Sequence, residues 1–134
     1  MSMVSHSARD SMPMEVFDPS STLERLNDDT ELFAELVEMF FEDCPVLIAE
    51  VRQAVNQNDA HELKRAAHLL RGAIGNFSVS TAYQAARTLE FMGHTSKMEG
   101  AASAVNTLET ETSRLVTALK RFISTSAFQK NRTA

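Results

Sequence analysis

Residues 59–77 read DAHELKRAAHLLRGAIGNF, and this stretch decides the fold predicted for the chain. Asp59, with Glu62 three residues on, forms a candidate capping box, which marks the start of a helix. On a helical wheel of about 100° per residue, the apolar side chains share one face. They are Leu63, Ala66, Leu70, Ala73, Ile74 and Phe77. The stretch is therefore predicted to be an amphipathic helix that runs to about Phe77 and turns this face to a core.

Two helices are predicted before this one. Asp18 followed by Pro19 is typical of a helix start and indicates a short N-terminal helix. Residues 28–30 then cap a longer helix, which ends at residues 56–58. Pro45 lies inside it and is expected to kink or divide it. The apolar positions of the longer helix alternate in steps of four and three, as on a bundle helix: Phe33, Val37, Phe40, Cys44, Leu47, Val51 and Ala54.

Two further helices follow. One runs from Thr81 to about Gly93 and buries Ala82, Ala86 and Leu89. Ser96 and Glu99 form a second candidate capping box in front of the last helix. The last helix repeats the spacing of four and three: Ala101, Val105, Leu108, Thr112, Leu115, Leu119 and Phe122. Four long helices with short connections predict an all-α fold, an antiparallel up-down four-helix bundle with a short additional N-terminal helix.

Length and composition bound the remaining possibilities. The 134 residues suit one domain, and we expect a bundle over 17–124 between flexible tails at 1–16 and 125–134. The net charge of -5 argues against nucleic acid as the main partner. The single cysteine fits a reducing compartment, and no apolar run is long enough for a membrane span or a signal peptide. We expect a cytoplasmic protein that binds no membrane.

The polar face of the central helix carries the candidate site. His68 points away from the core, and Gly72 lies one turn further on, although glycine inside a helix costs about 0.5–1 kcal/mol relative to alanine. The outward neighbours of His68 are His61, Lys64, Arg65, Arg71, Gly72 and Gly75. An ordinary solvated helix face would account for the lysine and arginines but not for the glycines. Neutral imidazole is a good nucleophile near neutral pH, and nearby cations would offset the charge of a phosphoryl group.

The motif His68-Leu69-Leu70-Arg71-Gly72 resembles the His-x-x-Lys-Gly signature of histidine-containing phosphotransfer (HPt) domains. Ala67 before it and Leu89-Glu90 on the next helix fit the same family, and the likeness extends over residues 17–122. Two positions depart from the family pattern. Arg71 replaces the usual lysine, which keeps the charge but changes its geometry, and Ser78 stands where many members have a glycine.

This resemblance implies a phosphorelay intermediate. His68 would accept a phosphoryl group from the aspartate of a receiver domain and pass it to another receiver. Arg71 would stabilise the charge of the phosphoryl group, and Gly72 would leave room for the partner. Partner binding is expected to involve the remaining outward residues, Lys64, Arg65, Gly75 and His61, with Gly75 extending the open space.

The partner implied is the receiver domain of a response regulator or a hybrid histidine kinase, bound by a monomer of this chain. The chain would need no cofactor of its own, because Mg²⁺ is expected on the receiver. No glycine-rich phosphate loop is present, so the chain is predicted to be a phosphocarrier without ATP-dependent kinase activity. Apolar residues around the basic face, partly from the N-terminal helix, are expected to contact the receiver.

Two alternatives remain at this point. A bundle of the same shape could bind a receiver or a kinase without carrying phosphate, and His68 argues against that class because such a module has no need of it. A metal-binding bundle is disfavoured because the Glu-x-x-His and His-Glu-x-x-His spacings are absent. Cys44 falls on the core face and is interpreted as a buried structural thiol.

Overall fold

The structure is a computed structural model that describes residues 17–79, 81–125 and 128. The helices of this part of the chain are α1 (Pro19–Arg25), α2 (Thr30–Asn56), α3 (Ala60–Gly75), α4 (Thr81–Thr95) and α5 (Ala101–Ile123). Each long helix packs against the next, and α5 also packs against α2, which closes a four-helix bundle. The predicted all-α fold is confirmed. The tail expected at 1–16 lies outside the described residues.

Aspartate side chains begin the first three helices, as predicted. Asp18, Asp29 and Asp59 each accept a hydrogen bond from the backbone N–H three residues further on. The capping box expected at Asp59 forms only by half, because the carboxylate of Glu62 binds Arg65 rather than reaching back to the cap. These caps fix the first residue of each helix.

Pro45 does not divide α2, which is continuous over 27 residues. The proline removes one backbone donor from the helix interior. Its neighbours Phe40, Cys44 and Val51 are buried on both sides of it, so packing holds the helix together through the missing bond. Burial also raises the pKa of the Cys44 thiol to about 11, as expected of a structural cysteine.

The capping box predicted at Ser96 and Glu99 is wrong. Ser96 has a φ of 59° and closes α4, since the N–H of Lys97 reaches back to the carbonyl of Met92. The N-cap of α5 is Gly100, with a φ of 85° and no side-chain cap bond. α4 therefore extends past Gly93, where the sequence analysis ended it, and Ser96 belongs to its end rather than to the start of α5.

A cluster of phenylalanines fills the end of the bundle where α3 stops. Phe33 packs against Phe17, Phe77, Phe122 and Phe128 at centroid distances between 5.5 and 6.2 Å. Within the flexible tail that the sequence predicted at 125–134, Phe128 is thus buried against the core. Both ends of the described chain contact the same phenylalanine of α2.

The contact between α3 and α4 is the most extensive in the bundle. At its tightest point Gly93 faces the backbone of α3: a Cβ built there would lie 2.5 Å from the Lys64 amide nitrogen and 2.7 Å from the Ala60 carbonyl oxygen. Only a glycine allows the two helices to approach this closely. This approach brings the polar side of α4 next to the outer face of α3.

None of the helices described here combines the length and the apolar composition needed to cross a membrane.

Candidate functional site

His68 lies on the outer face of α3, as the wheel predicted. Its side chain is 60% exposed, whereas Leu63, Leu70 and Ile74 on the opposite face are completely buried. Ala67, directly before it, is also fully buried. The helix is therefore anchored on one side by its apolar face, and the imidazole projects from a rigid element rather than from a loop.

Glu90 of α4 holds the imidazole. Its Oε2 lies 2.8 Å from His68 Nδ1, and its Oε1 accepts a hydrogen bond from Arg71 Nε. Arg71 also donates from Nη1 to the Tyr83 hydroxyl over 3.0 Å, and its guanidinium lies over the Tyr83 ring, 5.7 Å from the centroid. We call these four residues, His68, Arg71, Tyr83 and Glu90, the His68 network. It fixes the ring from the α4 side.

The charge on Glu90 determines which nitrogen of His68 carries the proton. Partial burial acts to raise the pKa of Glu90, but hydrogen bonds from Arg71 and His68 outweigh it, and the pKa is lowered below its usual value. A carboxylate only accepts hydrogen bonds, so the neutral ring donates from Nδ1–H. Arg71 Nη2 lies 3.2 Å from the same nitrogen, but it is itself a donor and cannot bond to Nδ1–H. Arg71 therefore holds the ring through Glu90, which both residues bind. The Nε2 lone pair is thus left free at the exposed side of the ring.

The glycines of α3 have different surroundings. A Cβ built at Gly72 would have no atom within 4 Å, which agrees with the open space predicted beside His68. A Cβ at Gly75 would lie 3.2 Å from Cε1 of Tyr83. The prediction that Gly75 extends the open space is wrong, because the Tyr83 ring occupies that position. Gly75 instead makes room for the tyrosine that supports Arg71.

The cations of the outer face differ in their partners. Arg65 forms 2.7 Å ion pairs with Glu62 of its own helix and with Glu50 of α2. Its charge is therefore balanced within the fold. Lys64 has no ion pair in the part of the chain that the structure describes, and His61 is exposed two turns before His68. Among the described cations of the basic face on α3, Lys64 is thus the one without an ion pair.

A groove of about 500 Å³ runs between α3 and α4 beside the His68 network, and we call it the α3–α4 groove. Lys64 and Arg71 line it from α3, and the residues that line it from α4 are Tyr83, Arg87, Glu90, Phe91 and His94. Neither Arg87 nor His94 has an ion pair within the described ranges. Phe91 is 65% exposed, although it is a large apolar side chain. The groove therefore combines positive charge with one exposed aromatic ring.

Apolar side chains are exposed on the other flank of His68. Leu69 follows it directly, and Val46 and Met39 are exposed one face over, on α2. The Glu50–Arg65 ion pair shows which residues of these two antiparallel helices lie opposite each other. One turn further along each helix, Val46 lies at the level of Leu69. In α1, Leu23 is half-buried and packs against the core. The exposed apolar side chains next to His68 thus come from α2, and the contribution expected from the N-terminal helix stays a prediction.

Sequence reasoning missed the second helix of the site. Glu90 entered only as part of a resemblance, and Tyr83, Arg87 and His94 were given no role in it. A signal existed: these four residues are spaced four, three and four apart, so they form one polar stripe along α4. That this stripe faces His68 depends on how α3 and α4 pack. Among the described residues, no three His, Cys, Asp or Glu side chains form a group that could hold a metal ion.

Comparisons with known proteins agree with this fold. The family model of the Hpt domain matches residues 35–118. Histidine-containing phosphotransfer protein B from Pseudomonas aeruginosa has a similar fold, with a TM-score of 0.73 and 17% identity over 82% of this chain and 94% of that one. The HPT domain of a sensor hybrid histidine kinase from Shewanella has a TM-score of 0.71 and 21% identity, over 82% of this chain and 95% of that one.

A third solved structure covers more of the chain. A histidine-containing phosphotransfer protein from Medicago truncatula gives a TM-score of 0.71 and 20% identity, over 96% of this chain and 87% of that one. At these identities the likeness concerns the fold. A search among curated proteins found none that matches this chain.

Proposed function

Because this chain belongs to the Hpt domain family, we propose that it is a phosphorelay intermediate in two-component signalling. His68 accepts a phosphoryl group from the aspartate of a receiver domain and passes it to another receiver. The observation that carries this proposal is the state of the imidazole: Glu90 binds Nδ1, the ring is 60% exposed, and open space lies one turn away at Gly72. A nucleophile needs a free lone pair and access, and His68 has both.

The transfer step follows from the same geometry. The Nε2 lone pair attacks phosphorus, the phosphorus–oxygen bond of the aspartyl phosphate breaks, and the aspartate leaves as a carboxylate with the bonding electrons. The Nδ1 proton remains in its bond to Glu90, so the ring becomes positively charged as the nitrogen–phosphorus bond forms. The Glu90 carboxylate offsets this charge. In the reverse direction the same positive charge makes the imidazole a better leaving group.

The two flanks of His68 support a receiver as the partner. On the α2 side, Leu69 and Val46 offer apolar contact area, and on the α4 side Phe91 adds an exposed ring. The side chain of His68 lies between them, where a docked aspartyl phosphate must arrive. We expect a small, transient interface. The receiver supplies Mg²⁺, and this chain acts as a phosphocarrier that does not use ATP.

The test uses a phosphorylated receiver with Mg²⁺ as the donor, and phosphoramidate as a second donor that needs no docking. We expect acid-labile phosphate on the wild-type chain from both donors and none on His68→Gln. His61→Gln and His94→Gln are matched controls, because each removes one exposed histidine from the same side of the bundle, and both should keep the label. Label that persists in His68→Gln would contradict the proposal, as would a wild-type chain that takes phosphate from neither donor.

A further inference from the structure

The His68 network leaves open which cation meets the phosphoryl group. The arginine of the His-x-x-Arg-Gly motif is already engaged: Arg71 binds Glu90 through Nε and Tyr83 through Nη1. The charges of Arg71 and Glu90 cancel each other before any phosphate arrives. Arg71 Nη2 also lies 3.2 Å from His68 Nδ1, the ring nitrogen that Glu90 already binds.

Helix geometry places two further cations next to the His68 ring. Side chains on a helix lean towards its N-terminus, so the ring of residue 68 covers the turn formed by residues 64 and 65. Residues at i and i+4 are neighbours on the helix surface, with about 5–6 Å between their Cβ atoms. The side chains of Lys64 and Arg65 are therefore within reach of a group carried on the exposed ring of His68.

Of these two cations, only Lys64 is uncommitted. Arg65 donates hydrogen bonds to Glu62 and to Glu50 and is held towards α2. Lys64 lines the α3–α4 groove on the side of the His68 network and forms no ion pair with any residue that the structure describes. A flexible ammonium group with three donors suits a phosphoryl group that arrives and leaves.

From this arrangement we infer that Lys64 is the counter-ion of the phosphoryl group on His68 Nε2, and that Arg71 is a positioning residue that acts through Glu90. This inference rests on the proposed function and goes beyond it, because it moves the charge-stabilising role from the motif arginine to a lysine outside the motif. Lys64 favours the dianionic phosphoryl group and so lowers the pH at which that group loses its last proton.

The test is the ³¹P NMR pH titration of the chain after phosphorylation by phosphoramidate. In Lys64→Gln we expect the midpoint of the phosphoryl titration to rise by about half a pH unit, as for an exposed ion pair. The difference should shrink in high salt. Lys120→Gln is the matched control, because it removes the same charge from α5, and its midpoint should equal that of the wild type.

Two further variants separate the alternatives. Arg71→Gln combined with Glu90→Gln removes one charge of each sign and should leave the midpoint near that of the wild type. Arg87→Gln removes the uncommitted cation across the groove and should shift it less than Lys64→Gln does. An unchanged midpoint in Lys64→Gln, or a larger shift in Arg87→Gln or in the double variant, would overturn the inference while the proposed function stands. A wild-type chain without phosphate bound to nitrogen would instead remove the proposed function itself.

Discussion

Gly72 and Gly93 are both glycines inside long helices, but their surroundings are opposite. Gly72 is on the outer face of α3, with open space where a Cβ would be, and Gly93 is on the inner face of α4, pressed against the backbone of Lys64. The first leaves a nucleophile accessible, and the second lets two helices meet closely enough for Glu90 to reach His68. One kind of residue thus serves access at one place and packing at the other.

The largest effect on stability is expected from Gly93→Ala. The added Cβ would lie 2.5 Å from a backbone nitrogen. Because no side-chain rotation can relieve a clash with the backbone, α3 and α4 must move apart. We expect a loss of about 2–3 kcal/mol in the free energy of unfolding, which exceeds the gain of about 1 kcal/mol in helix propensity. Urea unfolding measures this. Gly72→Ala is the matched control and should gain up to about 1 kcal/mol. Equal stability of the two variants would remove the contrast between the glycines.

The next largest effect is on transfer, and it comes from the other glycine. Gly72→Gln places a long side chain one turn from His68, where the aspartyl phosphate must approach. We expect a chain at least as stable as the wild type whose phosphotransfer from a receiver is slower by about tenfold or more. Labelling by phosphoramidate, which is small, should fall less. If Gly72→Gln lowered stability and left transfer per folded molecule unchanged, the glycine would serve packing, as Gly93 does.

Glu90→Gln tests the link between the two regions, because Glu90 reaches His68 across the close contact of α3 and α4. Glu90 makes charge-assisted hydrogen bonds to Arg71 and His68, so we expect a loss of about 1–2 kcal/mol at pH 7. The lowered pKa of Glu90 means that this contribution is present above its ordinary value of 4.5 and is lost as the pH falls below it. The stability difference between wild type and Glu90→Gln should therefore disappear in acid. Transfer should slow several-fold, because the positive charge that the ring gains is no longer offset.

Two readouts check the Glu90 prediction. Urea unfolding at pH 7 and in acid gives the stability difference, and ¹⁵N NMR of the imidazole gives the share of neutral His68 protonated at Nδ1, which should fall in the variant. A stability difference that persists undiminished in acid would show that Glu90 contributes through packing rather than through its charge.

The smallest effect is expected from Arg65→Gln. Arg65 is next to Lys64 on the outer face, but its ion pairs with Glu50 and Glu62 are solvent-exposed and contribute little to stability. We expect almost no change in stability and a transfer rate within about twofold of the wild type, as for other surface ion pairs. A transfer defect as large as that of Gly72→Gln would contradict this and support the predicted role of Arg65 in partner binding.

The bundle itself was predictable from the sequence because apolar spacing and aspartate caps are local signals. Asp18 and Asp59 mark two helix starts to the residue, and the observed cap Asp29 lies within the predicted range 28–30. The end of α4 was not predictable in this way, since Ser96 and Glu99 have the spacing of a capping box although Ser96 closes the preceding helix. The spacing of polar residues alone does not show whether a residue ends the helix before a turn or begins the helix after it.

The site was predictable only on the helix that carries the motif. The wheel placed His68 and Gly72 on the outer face of α3, and both lie there. The partners of His68 on α4, and the use of Gly75 under Tyr83, depend on the angle and distance between two helices. Those follow from the packing at Gly93, which a single sequence does not reveal. Sequence reasoning therefore found the nucleophile but not the group that sets its proton.

The most direct test of the account is to determine which nitrogen of His68 carries the phosphoryl group. A phosphorus on Nε2 couples in ¹H–³¹P NMR to both carbon-bound ring protons, Hδ2 and Hε1, whereas a phosphorus on Nδ1 couples to Hε1 alone. Because Glu90 binds Nδ1 and leaves Nε2 exposed, we predict that the chain phosphorylated by a receiver shows both couplings, on His68 only. Phosphate on Nδ1, or on another residue, would contradict the account.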